Sequence, residues 1–106
     1  MLITTMNDVP GFTIDEVYGE VFGLTVRSRN LGSQMGASFK SMLGGELKGM
    51  TKALVDSRNE VIERMTAEAE QKGANGIIAM RFDTSDMGGN WTEICAYGTA
   101  ARVTKA

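Results

Sequence analysis

The sequence has no histidine, one cysteine and one proline among its 106 residues. Without histidine, a serine or cysteine nucleophile lacks its usual general base, which excludes the common hydrolase triads. Zinc, iron and copper sites need several imidazole or thiolate ligands, and Cys95 alone cannot supply them within one chain. A lone cysteine also excludes an internal disulfide and favours a reducing compartment, so the cytoplasm is the expected location.

Long apolar runs and a strong charge of one sign are also lacking. No run approaches the roughly 20 apolar residues of a membrane helix, and the first residues do not resemble a secretory signal. The net charge of −2 provides no general field to attract nucleic acid. The chain has 42% apolar and 23% charged residues, which predicts one globular domain with one core over residues 1–106.

Hydrophobic periodicity predicts an α+β fold in the order β-β-α-α-β-β. We expect strands at residues 2–5, 16–29, 76–84 and 91–104, a short helix at 30–43 and a long helix at 46–72. The last two strands are expected to pair as a hairpin. The prediction is therefore a small antiparallel sheet packed against one long helix.

Alternation in the second strand divides its side chains between two faces. One face is predicted to carry Tyr18, Phe22, Leu24 and Val26, and the other Val17, Gly19, Val21, Gly23 and Thr25. Two glycines on one face indicate a bulge or a close approach of another backbone.

The long helix carries an apolar stripe and would be about 40 Å long if it covered all 27 predicted residues. The stripe consists of Leu47, Met50, Leu54, Val61, Met65 and Ala69, and the pairs Glu60–Arg64 and Glu68–Lys72 would lie on the surface. Such a helix exceeds what a compact domain of this size can cover, and the last strand is apolar on both faces. Both features favour self-association; the alternative is a shorter helix on a monomeric sheet.

The segment from Gly44 to Thr51, GGELKGMT, resembles a phosphate-binding loop only superficially. Met50 replaces the lysine that such loops need, and no strand immediately precedes the segment, which argues against nucleotide hydrolysis. Gly44, Gly45 and Lys48 still form a candidate anion site at the start of the helix. Glu46 in the first turn would compete for the same positive end.

Polar residues also accompany the last two strands. Asp83, Asp86, Asn90 and Glu93 supply oxygen ligands, but their spacing does not match a calcium loop, and hydrogen bonding within the turn explains them better. Arg81, Asp83 and Glu93 form a candidate polar cluster, with a structural salt bridge as the alternative. Cys95 is a candidate metal ligand only if subunits share it; otherwise it is a small buried strand residue.

Several segments resemble the YbjQ-like family of small uncharacterised bacterial and archaeal proteins. They are EVYGEVFG, LGGELKGMTKALVDSRNEVIERM, AEQKGANGIIAMRFDTSDM and TEICAYGTA, and the likeness runs from about Leu2 to Val103. The resemblance implies a subunit related to dodecin that assembles into ring-shaped homopentamers. It also implies the family's label, "putative heavy-metal-binding", without an established activity.

The leading hypothesis is a homo-oligomeric module, a pentamer by the resemblance, that holds a metal or small ligand between subunits. One alternative is a scaffolding oligomer with no ligand. A third hypothesis is an enzyme that uses carboxylate, lysine or arginine groups at an interface, with Arg81, Asp83 and Glu93 as the residues to test. We expect neither a nucleic-acid partner nor membrane insertion.

Overall fold

A computed structural model describes residues 1–28, 48–86 and 91–106. These residues form four strands and a helix: β1 (Leu2–Ile3), β2 (Phe12–Ser28), α1 (Lys48–Gln71), β3 (Gly76–Asp86) and β4 (Trp91–Lys105). The strands lie side by side in the order β1-β3-β4-β2. The predicted short helix at 30–43 falls outside the described residues, so the order β-β-α-α-β-β and the likeness to dodecin stay predictions.

The sheet is mixed, which corrects the expectation of an antiparallel sheet. β4 runs antiparallel to both of its neighbours, β2 and β3, whereas β1 pairs parallel with β3. β2 and β3 therefore run parallel to each other, with α1 as their connection and β4 inserted between them. The parallel pairing of β1 could not be predicted because a strand of two residues carries no pattern that reveals its partner.

One face of the sheet is covered by α1, which we call the helix face. Val61, Met65 and Ala69 are fully buried at four-residue steps along the predicted stripe. They pack in a core cluster with Val21 of β2 and with Ile94, Ala96 and Ala100 of β4. Between Leu54 and Val61 the helix carries Ser57, which is buried, and Arg58, whose guanidinium stacks 4.0 Å from the centroid of the Phe82 ring.

The helix approaches the sheet closely at Gly23. A Cβ built at this position would overlap the backbone oxygen of Val61 and lie 2.6 Å from the backbone nitrogen of Met65. This close approach confirms one of the two readings of the paired glycines in β2. Gly19 fulfils the other, because it has a φ of 95° beside a register shift between β2 and β4.

The bulge at Gly19 also corrects the predicted faces at the start of β2. Tyr18 packs against the helix-side core, whereas Val17 is exposed and pairs with Ala101. The extra residue in β2 inverts the alternation at this point, so Val17 and Tyr18 exchange sides. Beyond the bulge the prediction is correct: Val21, Gly23 and Thr25 are buried, and the side chains between them are exposed.

Among the described residues, the opposite face of the sheet, which we call the outer face, is covered mainly near the end of β4. At this end of β4 the buried side chains are those of the outer face, Ala101 and Val103, whereas Arg102 and Thr104 on the other side are exposed. Val9, in the segment that joins β1 to β2, is buried as well. The Asn75 side chain completes this end of the sheet, with 2.8 Å hydrogen bonds to both the N–H and the C=O of Val103.

The molecule is thin and elongated. Its principal extents are 53 × 27 × 17 Å, and its Cα radius of gyration is 17.2 Å. A compact domain of this length would have a radius of gyration of about 13 Å. A thickness of 17 Å accommodates one sheet and one helix, which leaves much of the outer face without a covering layer.

Candidate functional site

The uncovered part of the outer face is the candidate functional surface. It is built by residues that alternate along β2 and β4 and pair across the two strands: Phe22 with Tyr97, Leu24 with Cys95, and Val26 with Glu93. Trp91 continues the same row of β4. The large apolar side chains of this surface, Phe22, Leu24, Val26, Trp91 and Tyr97, are between 38% and 53% exposed.

Such a strip of apolar side chains on adjacent strands is unusual for a surface that faces water. The pairing of Phe22 with Tyr97 places two aromatic side chains directly across from each other. The sequence prediction that the last strand is apolar on both faces is thus confirmed. Ile94 and Ala96 face the helix, and Tyr97 and Cys95 lie on the outer face.

Cys95 lies near the middle of this surface. It pairs with Leu24 on one side and with Asp83 of β3 on the other, and it is partly buried. Its Sγ lies 3.6 Å from the backbone oxygen of Ala96. Burial of the sulfur, followed by the charges of Glu93, Asp83 and Glu20, raises the pKa of the thiol above its ordinary value.

The predicted polar cluster of Arg81, Asp83 and Glu93 lies on the same face as Cys95. Asp83 is directly opposite Cys95, Arg81 is opposite Tyr97, and Glu93 is opposite Ser85. The cluster and the cysteine therefore lie on one surface, because the register between β3 and β4 brings them together. That register includes a shift between Ile78 and Arg81, which the sequence does not reveal.

Arg81 has a structural use within this arrangement. Its Nη1 donates hydrogen bonds to the backbone oxygens of Thr5, at 2.7 Å, and Met80, at 2.8 Å. These contacts tie the segment after β1 to the sheet. Asp83 is exposed and Glu93 is partly exposed, so both carboxylates are available to a ligand at this surface.

The structure describes only one of the three residues of the candidate anion site at the start of the helix. Gly44 and Gly45 lie outside the described residues, and Lys48 is the first described residue of α1. The role of these three residues stays a prediction.

A second apolar patch lies on the N-terminal half of α1. Leu54 and Val55 are 54% and 49% exposed, although Leu54 belongs to the stripe that is buried at Val61 and Met65. Among the described members of the stripe, burial therefore begins at Val61, and α1 spans 24 residues rather than the 27 predicted. How the exposed pair relates to the outer face could not be predicted from the sequence.

Within the described ranges, no group of three or more histidine, cysteine, aspartate or glutamate side chains is arranged to hold a metal ion. No helix in this part of the chain is long and apolar enough to cross a membrane. Oxygen and sulfur donors are present around Cys95, but one chain does not bring enough of them together.

Comparison with known proteins supports the resemblance seen in the sequence. A family model, YbjQ, with the description "Putative heavy-metal-binding", matches residues 1–104. The chain belongs to this family. A UPF0145 protein of Acidothermus cellulolyticus is 64% identical over 105 residues, with 99% of this chain and 97% of that protein covered.

More distant members of the family match over the same length. The UPF0145 protein SCO3412 of Streptomyces coelicolor is 54% identical and covers 99% of both chains. The UPF0145 protein YjfJ of Lactococcus lactis is 52% identical, covering 99% of this chain and 96% of its own. A crystal structure from Pediococcus pentosaceus, of a protein with unknown function, covers 98% of both chains with a TM-score of 0.63. At 18% identity, that structure supports the fold alone.

Proposed function

We propose that the chain, one domain over residues 1–106, is the subunit of a homo-oligomer that binds a soft metal cation between subunits. The observation that carries the proposal is the exposed outer face with Cys95 near its middle. Five large apolar side chains on this face are exposed in the single chain, and burying them would stabilise an assembly. The pentameric ring that the resemblance implies is the form we propose.

A second copy of this chain is the proposed occupant of the outer face. Each chain has two separate apolar patches, the outer face and the pair Leu54 and Val55 on the helix. An interface between two different patches of identical chains is head-to-tail, and such interfaces close into rings when the rotation permits. The thin, elongated subunit fits this reading, since a layer from a neighbour would complete its packing.

The proposed ligand set is Cys95 with the carboxylates of Asp83 and Glu93. Cys95 and Asp83 are directly opposite on adjacent strands, and Glu93 follows two residues away on the same face. One chain offers a single thiol, so a thiolate-bound soft cation would require Cys95 from more than one subunit. Burial and the charges of Glu93 and Asp83 raise the thiol pKa and thus favour the protonated sulfur; a bound cation would oppose this effect and release the proton.

Native mass spectrometry of the assembly with and without added Zn²⁺ tests the proposal. We expect an oligomer that gains metal mass at a fixed number of ions per ring, with proton release on binding. The variant Cys95→Ser should assemble equally but lose the bound ions, and Asp83→Asn should bind more weakly. Thr13→Ser, an exposed change elsewhere on β2, is the control.

Each outcome bears on a different part of the proposal. Unchanged metal stoichiometry in Cys95→Ser would remove Cys95 from the site. If the oligomer gains no metal mass, and protein purified from its own cells also carries none, the scaffolding hypothesis would replace the metal-binding one.

A further inference from the structure

β2 is the edge strand of the sheet on the side away from β1, and it is 17 residues long. The backbone groups along a free edge can pair with a strand of another molecule, so long free edges promote aggregation unless they are protected. In the described part of the chain no strand pairs with this edge of β2. Three side chains of α1 contact it instead.

These side chains lie four residues apart on the helix and meet backbone groups two residues apart on the strand. Arg64 Nη1 donates to the oxygen of Leu24 at 2.5 Å, and Lys72 Nζ donates to the oxygen of Glu20 at 3.1 Å. Between them, Glu68 Oε2 accepts from the N–H of Phe22 at 3.4 Å. Cations therefore meet carbonyl oxygens and the carboxylate meets an amide hydrogen.

The spacing of the contacts follows from the rise per residue of an α-helix and of a β-strand. Four residues of α-helix advance about 6.0 Å, and two residues of strand advance about 6.6 Å. A row of side chains at helix positions i, i+4 and i+8 can therefore follow alternate residues of a strand that runs beside it. Residues 64 to 72 meet residues 24 to 20, so the helix and the strand run in opposite directions.

Arg64 is held in place by a further contact. Its Nη2 lies 2.5 Å from Glu60 Oε1, and the other oxygen of Glu60 contacts Arg27 of β2. The predicted pair Glu60–Arg64 is thus present, and it anchors the first member of the row. Glu60, Arg64, Glu68 and Lys72 alternate in charge along the helix beside the strand edge.

We propose that Arg64, Glu68 and Lys72 close the free edge of β2 against strand addition. The three side chains occupy hydrogen-bonding positions that a neighbouring strand would use. Self-association is thereby directed to the outer face of the sheet, and the row determines which surface of the subunit assembles. This inference concerns the assembly in the proposed function, but the contacts that carry it lie within one chain and are independent of that proposal.

The double substitution Arg64→Met and Lys72→Met tests the proposal. Methionine retains a long side chain and a high helix propensity but cannot donate to the carbonyl oxygens. Lys52→Met with Lys105→Met is the matched control, since it removes two positive charges at other exposed positions. We expect the edge variant to place at least about tenfold more protein in thioflavin-positive species larger than the wild-type assembly. The same size distribution in the edge variant and the control would overturn the proposal.

Hydrogen exchange at the Phe22 amide provides a second test that does not depend on the double variant folding well. Glu68→Met removes the acceptor and should accelerate exchange of this amide about fivefold, while the amide of Val21 on the same strand stays unchanged. Glu68→Gln keeps an acceptor oxygen and should retain the wild-type rate. Equal Phe22 exchange in all three proteins would overturn the proposal, whether the wild-type chain is an oligomer or a monomer.

Discussion

Cys95 of β4 lies directly opposite Asp83 of β3 on the face of the sheet that the helix leaves uncovered. The pairing joins the single thiol of the chain to a carboxylate, and Leu24 lies on its other side. A donor pair within an exposed apolar strip is well placed for an interface that also binds a cation. Because of this pairing, the reactivity of the Cys95 thiol reports on the charged and apolar groups that surround it.

The reactivity of Cys95 should depend on pH in a way that reports its neighbours. Burial and the charges of Glu93, Asp83 and Glu20 raise the thiol pKa, so thiolate appears at higher pH than in an unstructured peptide. Alkylation rates measured across pH should give a midpoint above the ordinary value of about 8.5. Asp83→Asn should move that midpoint down, and an unchanged midpoint would show that the carboxylate does not act on the sulfur.

The same shift determines how stability depends on pH. The folded chain holds the thiol proton more tightly than the unfolded chain, so ionisation of Cys95 favours unfolding. Its contribution to the free energy of unfolding is constant below the ordinary thiol pKa. The free energy then falls as the pH rises to the pKa of the folded state. Denaturation of wild type and Cys95→Ser between pH 7 and 10 should show a steeper fall in the wild type, and equal pH profiles would contradict the shift at Cys95.

Gly23→Ala should destabilise the fold because the added methyl group would collide with the backbone of α1 at Val61 and Met65. We expect a loss of about 2–3 kcal/mol in the free energy of unfolding, measured by urea denaturation. Gly49→Ala, at an exposed position of the same helix, is the control and should be neutral or slightly stabilising. Equal stability of the two variants would contradict the close approach at Gly23.

Asn75→Ala should weaken the end of the sheet. The side chain replaces a strand backbone by bonding both the N–H and the C=O of Val103, each at 2.8 Å. Losing both hydrogen bonds should cost about 2 kcal/mol of unfolding free energy. Exchange of the Val103 amide should accelerate in the variant, whereas the amide of Ala96 in the middle of β4 should not respond. Asn75→Asp, which keeps only the acceptor, should lie between the two.

The elements with a clear period could be predicted from the sequence. The stripe of Val61, Met65 and Ala69 identified the buried side of the helix, and alternation in β4 identified its two faces. Gly23 indicated close packing because glycine lacks a side chain, and a neighbouring backbone can occupy the space that a side chain would need. Each of these signals is local, and each depends on the geometry of one element.

Relationships between elements could not be predicted in this way. The meeting of Cys95 with Asp83 depends on the register of a hairpin that contains a bulge. The row of Arg64, Glu68 and Lys72 looked like ordinary surface charge, because its partners are backbone groups of a strand 40 to 52 residues earlier. The exchange of faces between Val17 and Tyr18 required a bulge whose position alternation alone cannot specify.

The central claim is that the outer face of the sheet is an interface between copies of this chain. Phe22→Asp places a charge in that face, where Phe22 is 47% exposed and pairs with Tyr97. It should weaken assembly at least about 100-fold, because a charge within an apolar interface is costly to bury. Met6→Asp, at an exposed apolar residue outside this face, is the control and should assemble as the wild type does.

Sedimentation equilibrium of these three proteins over a range of micromolar concentrations tests the claim most directly. The account predicts a closed oligomer for the wild type and Met6→Asp, and folded monomers for Phe22→Asp. A monodisperse wild-type monomer, or an oligomer that Phe22→Asp leaves intact, would contradict it.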